Sequence, residues 1–217
     1  MATKPKSPPT YHPTEERLNV LTHGFGFVLS LVALVLLVLK SSELQGYRPL
    51  FSFTVFGASL VLLYAASTFY HSAKDTRLRH YLNITDHAAI YVLIAGTYTP
   101  FALITLRQHN GLFVFGLIWG IALAGILLKL FFIGKFNTLS TVLYVAMGWI
   151  VIFYIKPLMA VFPGWGVFWL FVGGLFYTLG AVIFAIEKIK FNHVIFHLFV
   201  LAGSFCHFIA IYFFVLG

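Results

Sequence analysis

The residues Asn192-His193-Val194-Ile195-Phe196-His197 begin the last long apolar stretch of the chain and carry two histidines four residues apart. On a helix this spacing places both imidazole rings on one face, about one turn from each other. The arrangement suits the binding of one metal ion by two rings, and it also suits two hydrogen-bonded packing residues. Residues 191–217 contain no lysine, arginine, aspartate or glutamate, so the stretch has the composition of a membrane span. Ionisable groups inside a span usually have a partner or a function.

The composition of the whole chain is that of a membrane protein. Of its 217 residues, 60% are hydrophobic and only 9% are charged, whereas a typical soluble domain has about 25% charged residues. The single cysteine, Cys206, excludes an intrachain disulfide. The net charge of +8 comes from basic residues scattered through short loops, and membrane topology explains them better than a nucleic-acid surface does. We therefore predict no nucleic-acid partner.

Seven apolar runs are long enough to cross a hydrocarbon layer of about 30 Å, which takes roughly 20 helical residues. They predict an all-α integral membrane protein, a seven-transmembrane helix bundle over residues 18–217. The proline-rich leader over residues 1–17 is expected to be disordered and cytoplasmic. The predicted spans are 18–39, 50–71, 85–105, 112–131, 138–156, 165–186 and 192–216. Because the connections are short, the sequence predicts one bundle without a separate domain.

The lysines and arginines predict how this bundle is oriented. Ten of them fall in the leader or near the second, fourth and sixth connections, and four fall on the opposite side. Since basic loops favour the cytoplasmic side, the amino terminus is predicted inside and the carboxyl terminus outside the cell inner (plasma) membrane. Lys129 belongs to the inner set and lies at the end of an apolar run. The span boundary there, and at Lys156, shifts by a few residues if the lysine side chain reaches the membrane surface.

This topology brings polar residues from three predicted spans to one depth near the inner membrane face. They are Ser67 and His71 at the end of the second span, Asp86 at the start of the third, and His193 and His197 at the start of the seventh. Three imidazoles leave a fourth position open, which is typical of a catalytic rather than a structural zinc site. The sequence therefore predicts zinc bound by His71, His193 and His197.

Asp86 and Ser67 are the candidate catalytic residues. Asp86 is the only carboxylate within the predicted spans, and it could ligate the metal or act as the base for a metal-bound water. Ser67 could donate a hydrogen bond to a developing oxyanion or orient Asp86. A hydroxyl in this position could equally bond to a carbonyl of its own helix.

Three other polar residues, Asn19, His23 and His207, have weaker cases for a role near the metal, and Glu16 has a simpler explanation. Asn19 and His23 lie in the first span at a similar depth and could contact the metal ligands, although helix packing also explains His23. His207 lies ten residues beyond His197, about 15 Å along a helix, so a role in substrate polarity or between helices suits it better. Glu16 precedes the first span, where a negative charge favours the helix amino terminus.

Several of these residues stand in motifs that resemble the haemolysin III family. The motifs are Glu16, Asn19 and Thr22-His23, then Ser67-Thr-Phe-Tyr-His71, Asp86-His-Ala-Ala-Ile-Tyr followed by Ile94-Ala-Gly-Thr-Tyr-Thr-Pro100, and Asn192-His-Val-Ile-Phe-His197 followed by Gly203-Ser and His207-Phe. The resemblance covers nearly the whole chain after the leader and keeps the order of the motifs. That family belongs with the progestin and adipoQ receptors and, more distantly, the alkaline ceramidases.

The resemblance implies a cytoplasmic-side zinc ion held by His71, His193 and His197, with Asp86 on the zinc-bound water and Ser67 adjacent. It also implies zinc-dependent hydrolysis of lipid amide or ester bonds, or regulation of membrane lipid state, with a membrane lipid as substrate or ligand. Two alternatives stay open at this point. One is a receptor or sensor with structural zinc, and the other is the pore-forming cytolysin that the family name suggests.

Overall fold

Each of the seven predicted runs forms a helical span. The computed structural model describes residue 9 and residues 11–132, 137–186 and 188–215, and these residues contain no strand. The helices are α1 Pro13–Ser42, α2 Tyr47–Ser72, α3 Thr76–Pro100, α4 Gly111–Phe132, α5 Asn137–Gly148, α6 Ile155–Val161, α7 Gly164–Ala185 and α8 Asn192–Phe214. A π-helical turn extends α3, and a 3₁₀ segment joins α5 to α6 within the fifth span. Seven spans are long and apolar enough to cross a membrane, which confirms the predicted fold class.

The first span begins earlier than predicted. Helix α1 starts at Pro13, where proline is tolerated because the first turn needs no backbone donor. The His12 side chain accepts a hydrogen bond from the Thr14 amide at 3.4 Å and caps the helix. Residues 13–17, predicted as part of a disordered leader, are therefore helical. Of the rest of that leader, only residues 9, 11 and 12 are among the described residues.

The third span also begins earlier than predicted, at Thr76 rather than at residue 85. Asp75 accepts a hydrogen bond from the Leu78 amide at 2.7 Å and caps α3. The first turns of α3 contain arginine, histidine and asparagine, so hydropathy alone does not mark them as part of a span. The early start matters for the site because it brings Arg79 into the bundle.

The side of α1 that packs into the bundle is polar or small, and the opposite side is apolar. The buried residues of α1 are Asn19, His23, Gly26, Ser30, Leu37 and Ser41. Leu21, Phe25 and Val28 on the other side are exposed. This pattern is typical of a membrane helix, in which lipid covers the apolar side and small or polar residues make the helix contacts. It turns Asn19 and His23 towards the interior.

The helices surround a central cavity. Helix α2 packs between α1 and α3, α8 packs between α1 and α7, and α4 packs against α3. The fifth span closes the ring against α3, α4 and α7 through looser contacts. The cavity has a volume of about 180 Å³ and runs from His193 and His197 to Leu158 and Leu170, between mostly apolar walls. We call the end at which α2 ends and α8 begins the inner end.

Candidate metal centre

The turn before α8 sets the position of the two histidines that follow it. Phe191 has a φ of 57°, an uncommon conformation for a bulky residue that turns the chain sharply into the new helix. The Asn192 side-chain amide donates to the carbonyls of Phe184 at 3.0 Å and Ile186 at 3.4 Å, which ties the start of α8 to the end of α7. His193 therefore occupies the first turn of α8, with His197 one turn further.

The structure brings together the three histidines predicted as zinc ligands, and all three are buried. His71 comes from the end of α2, and one ring nitrogen from each histidine lies within 4.8 Å of the others. The Nε2 atoms of His71 and His193 are 3.1 Å apart. Tetrahedral zinc with Zn–N bonds of 2.0–2.1 Å holds ligand nitrogens about 3.3–3.4 Å apart. The His71–His193 separation is therefore within a few tenths of an ångström of that geometry, and a ring nitrogen of His197 lies within 4.8 Å of both.

The outward-facing nitrogens of two rings have acceptors supplied by α1. His71 Nδ1 lies 2.7 Å from the Glu16 carboxylate, which can only accept a hydrogen bond. His197 Nδ1 lies 3.2 Å from the Thr22 hydroxyl, which already donates its proton to the Leu18 carbonyl at 2.8 Å. Both rings therefore carry their proton on Nδ1, and the Nε2 lone pairs are available for a metal.

The third ring contacts a tyrosine that precedes α1. His193 Nδ1 lies 3.0 Å from the Tyr11 hydroxyl. Burial, with smaller contributions from nearby Tyr70 and Glu16, raises the pKa of Tyr11, so this phenol keeps its proton. A phenol can donate or accept, so it suits either tautomer of His193. The Nε2 atoms of His71 and His193, 3.1 Å apart, can share a proton or bind one cation, and three imidazole nitrogens are a donor set that zinc accepts.

Arg79 joins the segment before α1 to the helices around the site. Its guanidinium donates to the Glu16 carboxylate, to the Pro9 carbonyl at 3.0 Å and to the Tyr70 carbonyl at 3.3 Å. It also lies 4.6 Å from the centre of the Tyr70 ring. In the sequence, Arg79 is one of the ten basic residues that predict the inner side, and Glu16 is a favourable charge at a helix start. Their place beside the three histidines is seen only in the structure.

One signal in the sequence could have identified Glu16. It lies three residues before Asn19 and seven before His23, so all three share one face of a helix. That face is the polar one that α1 turns inward. The signal was hidden because Glu16 was placed in the leader, outside the predicted first span.

Asp86 and Ser67 line the central cavity beside the histidines. Asp86 is not part of the converging ligand group, so of its two predicted roles the geometry favours the base and not the direct ligand. The Ser67 hydroxyl lies next to the Asp86 carboxylate. Within the described residues it makes no hydrogen bond of standard geometry. With Asp86 as its neighbour and no hydrogen bond of standard geometry, this hydroxyl is available to a bound substrate or water.

Asn19 and His23 both contact the ligands. The Asn19 amide nitrogen is 3.5 Å from His71 Nδ1, at the limit of a hydrogen bond. The His23 ring stacks on the His197 ring with centroids 3.4 Å apart. Both residues thus pack from α1 against the candidate metal ligands, and a role for them at a metal stays a prediction.

His207 lies apart from this group, in a second set of polar residues that we call the outer polar cluster: His207, Tyr177, Ser204 and Tyr64. His207 Nε2 is 3.1 Å from the Leu170 carbonyl on α7. The hydroxyls of Tyr64 and Tyr177 lie 2.7 Å and 2.8 Å from the Ser204 hydroxyl. The cluster joins α2, α7 and α8, so the interhelix alternative predicted for His207 describes its contacts.

Comparison with known proteins identifies the family. The family model described as "Haemolysin-III related" matches residues 11–208. The chain is 46% identical over 202 residues to "Hemolysin-3" of Bacillus cereus, covering 93% of this chain and 92% of the relative. It is 44% identical over 200 residues to the "Hemolysin-3 homolog" of Bacillus subtilis, covering 92% and 94%. It is also 30% identical over 215 residues to the "Monocyte to macrophage differentiation factor" of Homo sapiens, covering 93% and 86%. The chain is thus a multi-pass membrane protein that belongs to the haemolysin III-related family.

Proposed function

We propose that this protein is a membrane-embedded, zinc-dependent hydrolase that cleaves an amide or ester bond of a membrane lipid. The observation that carries this proposal is the meeting of three buried imidazoles with the polar end of a cavity whose other walls are mostly apolar. An apolar cavity accommodates an acyl chain, and the polar end receives the bond that is cleaved.

The roles of the residues follow from their chemistry. His71, His193 and His197 would hold zinc, which supplies acidity to a coordinated water and polarises a carbonyl. Asp86 accepts the proton of the attacking water on a carboxylate oxygen. Ser67 donates a hydrogen bond to the carbonyl oxygen of the substrate as negative charge develops there.

The proposed reaction is a hydrolysis in which atoms and protons balance. The water oxygen bonds to the acyl carbon, and the bond from that carbon to the amide nitrogen or ester oxygen breaks. Asp86 passes the proton it accepted to the leaving nitrogen or oxygen, and the products are a fatty acid and an amine or alcohol. Asp86 returns to its carboxylate form for the next cycle.

The substrate reaches this site from within the bilayer. The fifth span, from α5 to α6, packs loosely against its neighbours, so we place lipid entry beside it. With the predicted orientation, the reaction occurs at the inner leaflet of the plasma membrane.

The printed name of the Bacillus cereus relative gives the second candidate function, cytolysis. A conducting pore needs a continuous path for water and ions, whereas the walls of this cavity are mostly apolar. Leakage of dye from liposomes containing the protein tests this candidate directly. A receptor with structural zinc is the third, and it predicts zinc binding without product formation.

The test of the proposed function uses protein in lipid nanodiscs with measured zinc content. Matched long-chain amides and esters are supplied in the bilayer, and fatty-acid release is followed by mass spectrometry. We expect release by the wild type and none by His71→Ala. His109→Ala is the matched control, because His109 is exposed in the loop after α3.

Each outcome separates the candidates. Fatty-acid release that requires His71 supports the hydrolase. Stoichiometric zinc without release from any amide or ester contradicts it and favours the receptor. A folded wild type that binds no zinc contradicts both, and dye leakage that survives His71→Ala favours the cytolysin.

A further inference from the structure

Lys129 is a buried lysine on a membrane-spanning helix. The buried face of α4 consists of Val114, Ile118, Ala122, Gly125 and Lys129, together with Gly111 at its start. Only 2% of Lys129 is exposed. The sequence left open that this side chain extends to the membrane surface, and the structure turns it into the bundle.

The ammonium group lies at the level of the metal centre. Gly125 packs so closely on Tyr91 that an added Cβ would lie 2.2 Å from the ring carbon Cζ. The short connection makes α3 and α4 antiparallel. One helical turn from the Gly125–Tyr91 contact towards the inner end, Lys129 on α4 therefore lies beside His87 on α3. Lys129, His87 and Asp86 all line the central cavity.

No carboxylate neutralises this lysine among the residues that the structure describes. The ion pairs there both involve Glu16, with His71 and with Arg79. Asp86 lines the same cavity but does not lie within 4 Å of the ammonium. A buried cation without a counter-ion is costly in a membrane protein and usually serves a ligand or a pathway.

We propose that Lys129 binds the oxyanion headgroup of an amphiphile whose apolar chain occupies the central cavity. The headgroup is a carboxylate or a phosphate, since both present the anionic oxygens that an ammonium binds. The inference builds on the proposed hydrolase, because a fatty-acid carboxylate is the product that lipid amide or ester hydrolysis leaves in this cavity. It also stands without that activity, since binding of an anion by Lys129 requires no bond cleavage.

The test measures binding to protein freed of metal with a chelator, so that zinc cannot hold the headgroup. Three fluorescent probes share one alkyl chain and end in a carboxylate, a phosphate or a neutral alcohol. The variants are Lys129→Met, Lys129→Arg and the control Lys156→Met, which removes an exposed lysine from the fifth span. Thermal unfolding of each variant shows that it is folded.

We expect Lys129→Met to weaken carboxylate or phosphate binding by about 10- to 100-fold, the usual loss when a hydrogen bond to a charged group is removed. Binding of the alcohol probe should change by less than about threefold, because only the charge-dependent contact is lost. Lys129→Arg should retain most of the affinity for anions, and Lys156→Met should match the wild type. The anion that responds more strongly identifies the headgroup.

Two results would overturn the inference. One is equal binding of the anionic probes to Lys129→Met and the wild type, including no binding by either. The other is an equal loss for the anions and the alcohol, which would mean that Lys129 only shapes the cavity. Failure of the proposed hydrolase is a separate result. If the wild type releases no fatty acid but Lys129→Met still weakens anion binding, the hydrolase is wrong and this inference stands.

Discussion

The inner histidine group, which consists of His71, His193 and His197, and the outer polar cluster both contain buried histidines of α8 but use them in different ways. His197 and His207 both lie on α8 and are both buried. His197 uses Nδ1 to contact Thr22 and lies near two other imidazoles, whereas His207 uses Nε2 to contact a backbone carbonyl. The convergence of ring nitrogens, and not burial or depth alone, separates a candidate metal site from a hydrogen-bonded packing residue.

The largest expected contrast between these two regions is in zinc content. His197→Ala should remove stoichiometric zinc because two imidazoles remain where three are needed. His207→Ala should keep it. Elemental mass spectrometry on detergent-purified, folded protein measures both variants, and zinc loss in His207→Ala alone would reverse our assignment of the two regions.

The next contrast is between holding the metal and carrying out the reaction. Asp86→Asn should reduce hydrolysis by about 10²- to 10⁴-fold, the usual contribution of a general base, while zinc remains bound because Asp86 is outside the ligand group. Rates of fatty-acid release and zinc content are measured on the same preparation. Loss of zinc in this variant would show that Asp86 is a ligand.

The hydrogen bonds from α1 to the ligand rings predict a smaller effect on metal affinity. Glu16→Gln should weaken zinc binding by about 10- to 100-fold, because partners of this kind orient metal-binding histidines and increase their basicity. Competition with a chelator of known affinity gives the value. Glu43→Gln is the control, since Glu43 is exposed after α1, and equal affinity of the two variants would leave Glu16 without a role in metal binding.

The smallest effect belongs to the outer polar cluster. Tyr177→Phe removes the hydrogen bond to Ser204 and should lower the free energy of unfolding by about 1 kcal/mol. The midpoint of thermal unfolding should fall by about 2–4 °C, with zinc content unchanged. A variant that unfolds like the wild type but loses zinc would couple the two regions, contrary to our description.

Most of the fold follows from patterns along the chain. Hydropathy identified all seven spans, and the spacing of His193 and His197 placed two ligands on one helix face. The starts of α1 and α3 were misplaced because caps made by His12 and Asp75 extend a helix through polar residues. Hydropathy measures apolar content, so it does not register such extensions.

The surroundings of the ligands were less predictable than the ligands themselves. Tyr11 was assigned to a disordered leader, yet its hydroxyl contacts His193, 182 residues further along the chain. The sequence left open that Lys129 reaches the membrane surface, and only the rotation of α4 against α3 decides that it faces inward. Contacts of this kind depend on how each helix is rotated about its axis, which no spacing within one helix specifies.

The amino-acid sequence by itself determined the membrane class, the seven spans and the set of histidines able to bind zinc, because apolar run length and helical spacing are local properties. The tertiary structure alone decided that Glu16, Thr22 and Tyr11 contact the three histidine rings and that Lys129 faces the central cavity without an ion pair to a described carboxylate. These contacts require helices distant in sequence to pack at particular rotations and depths.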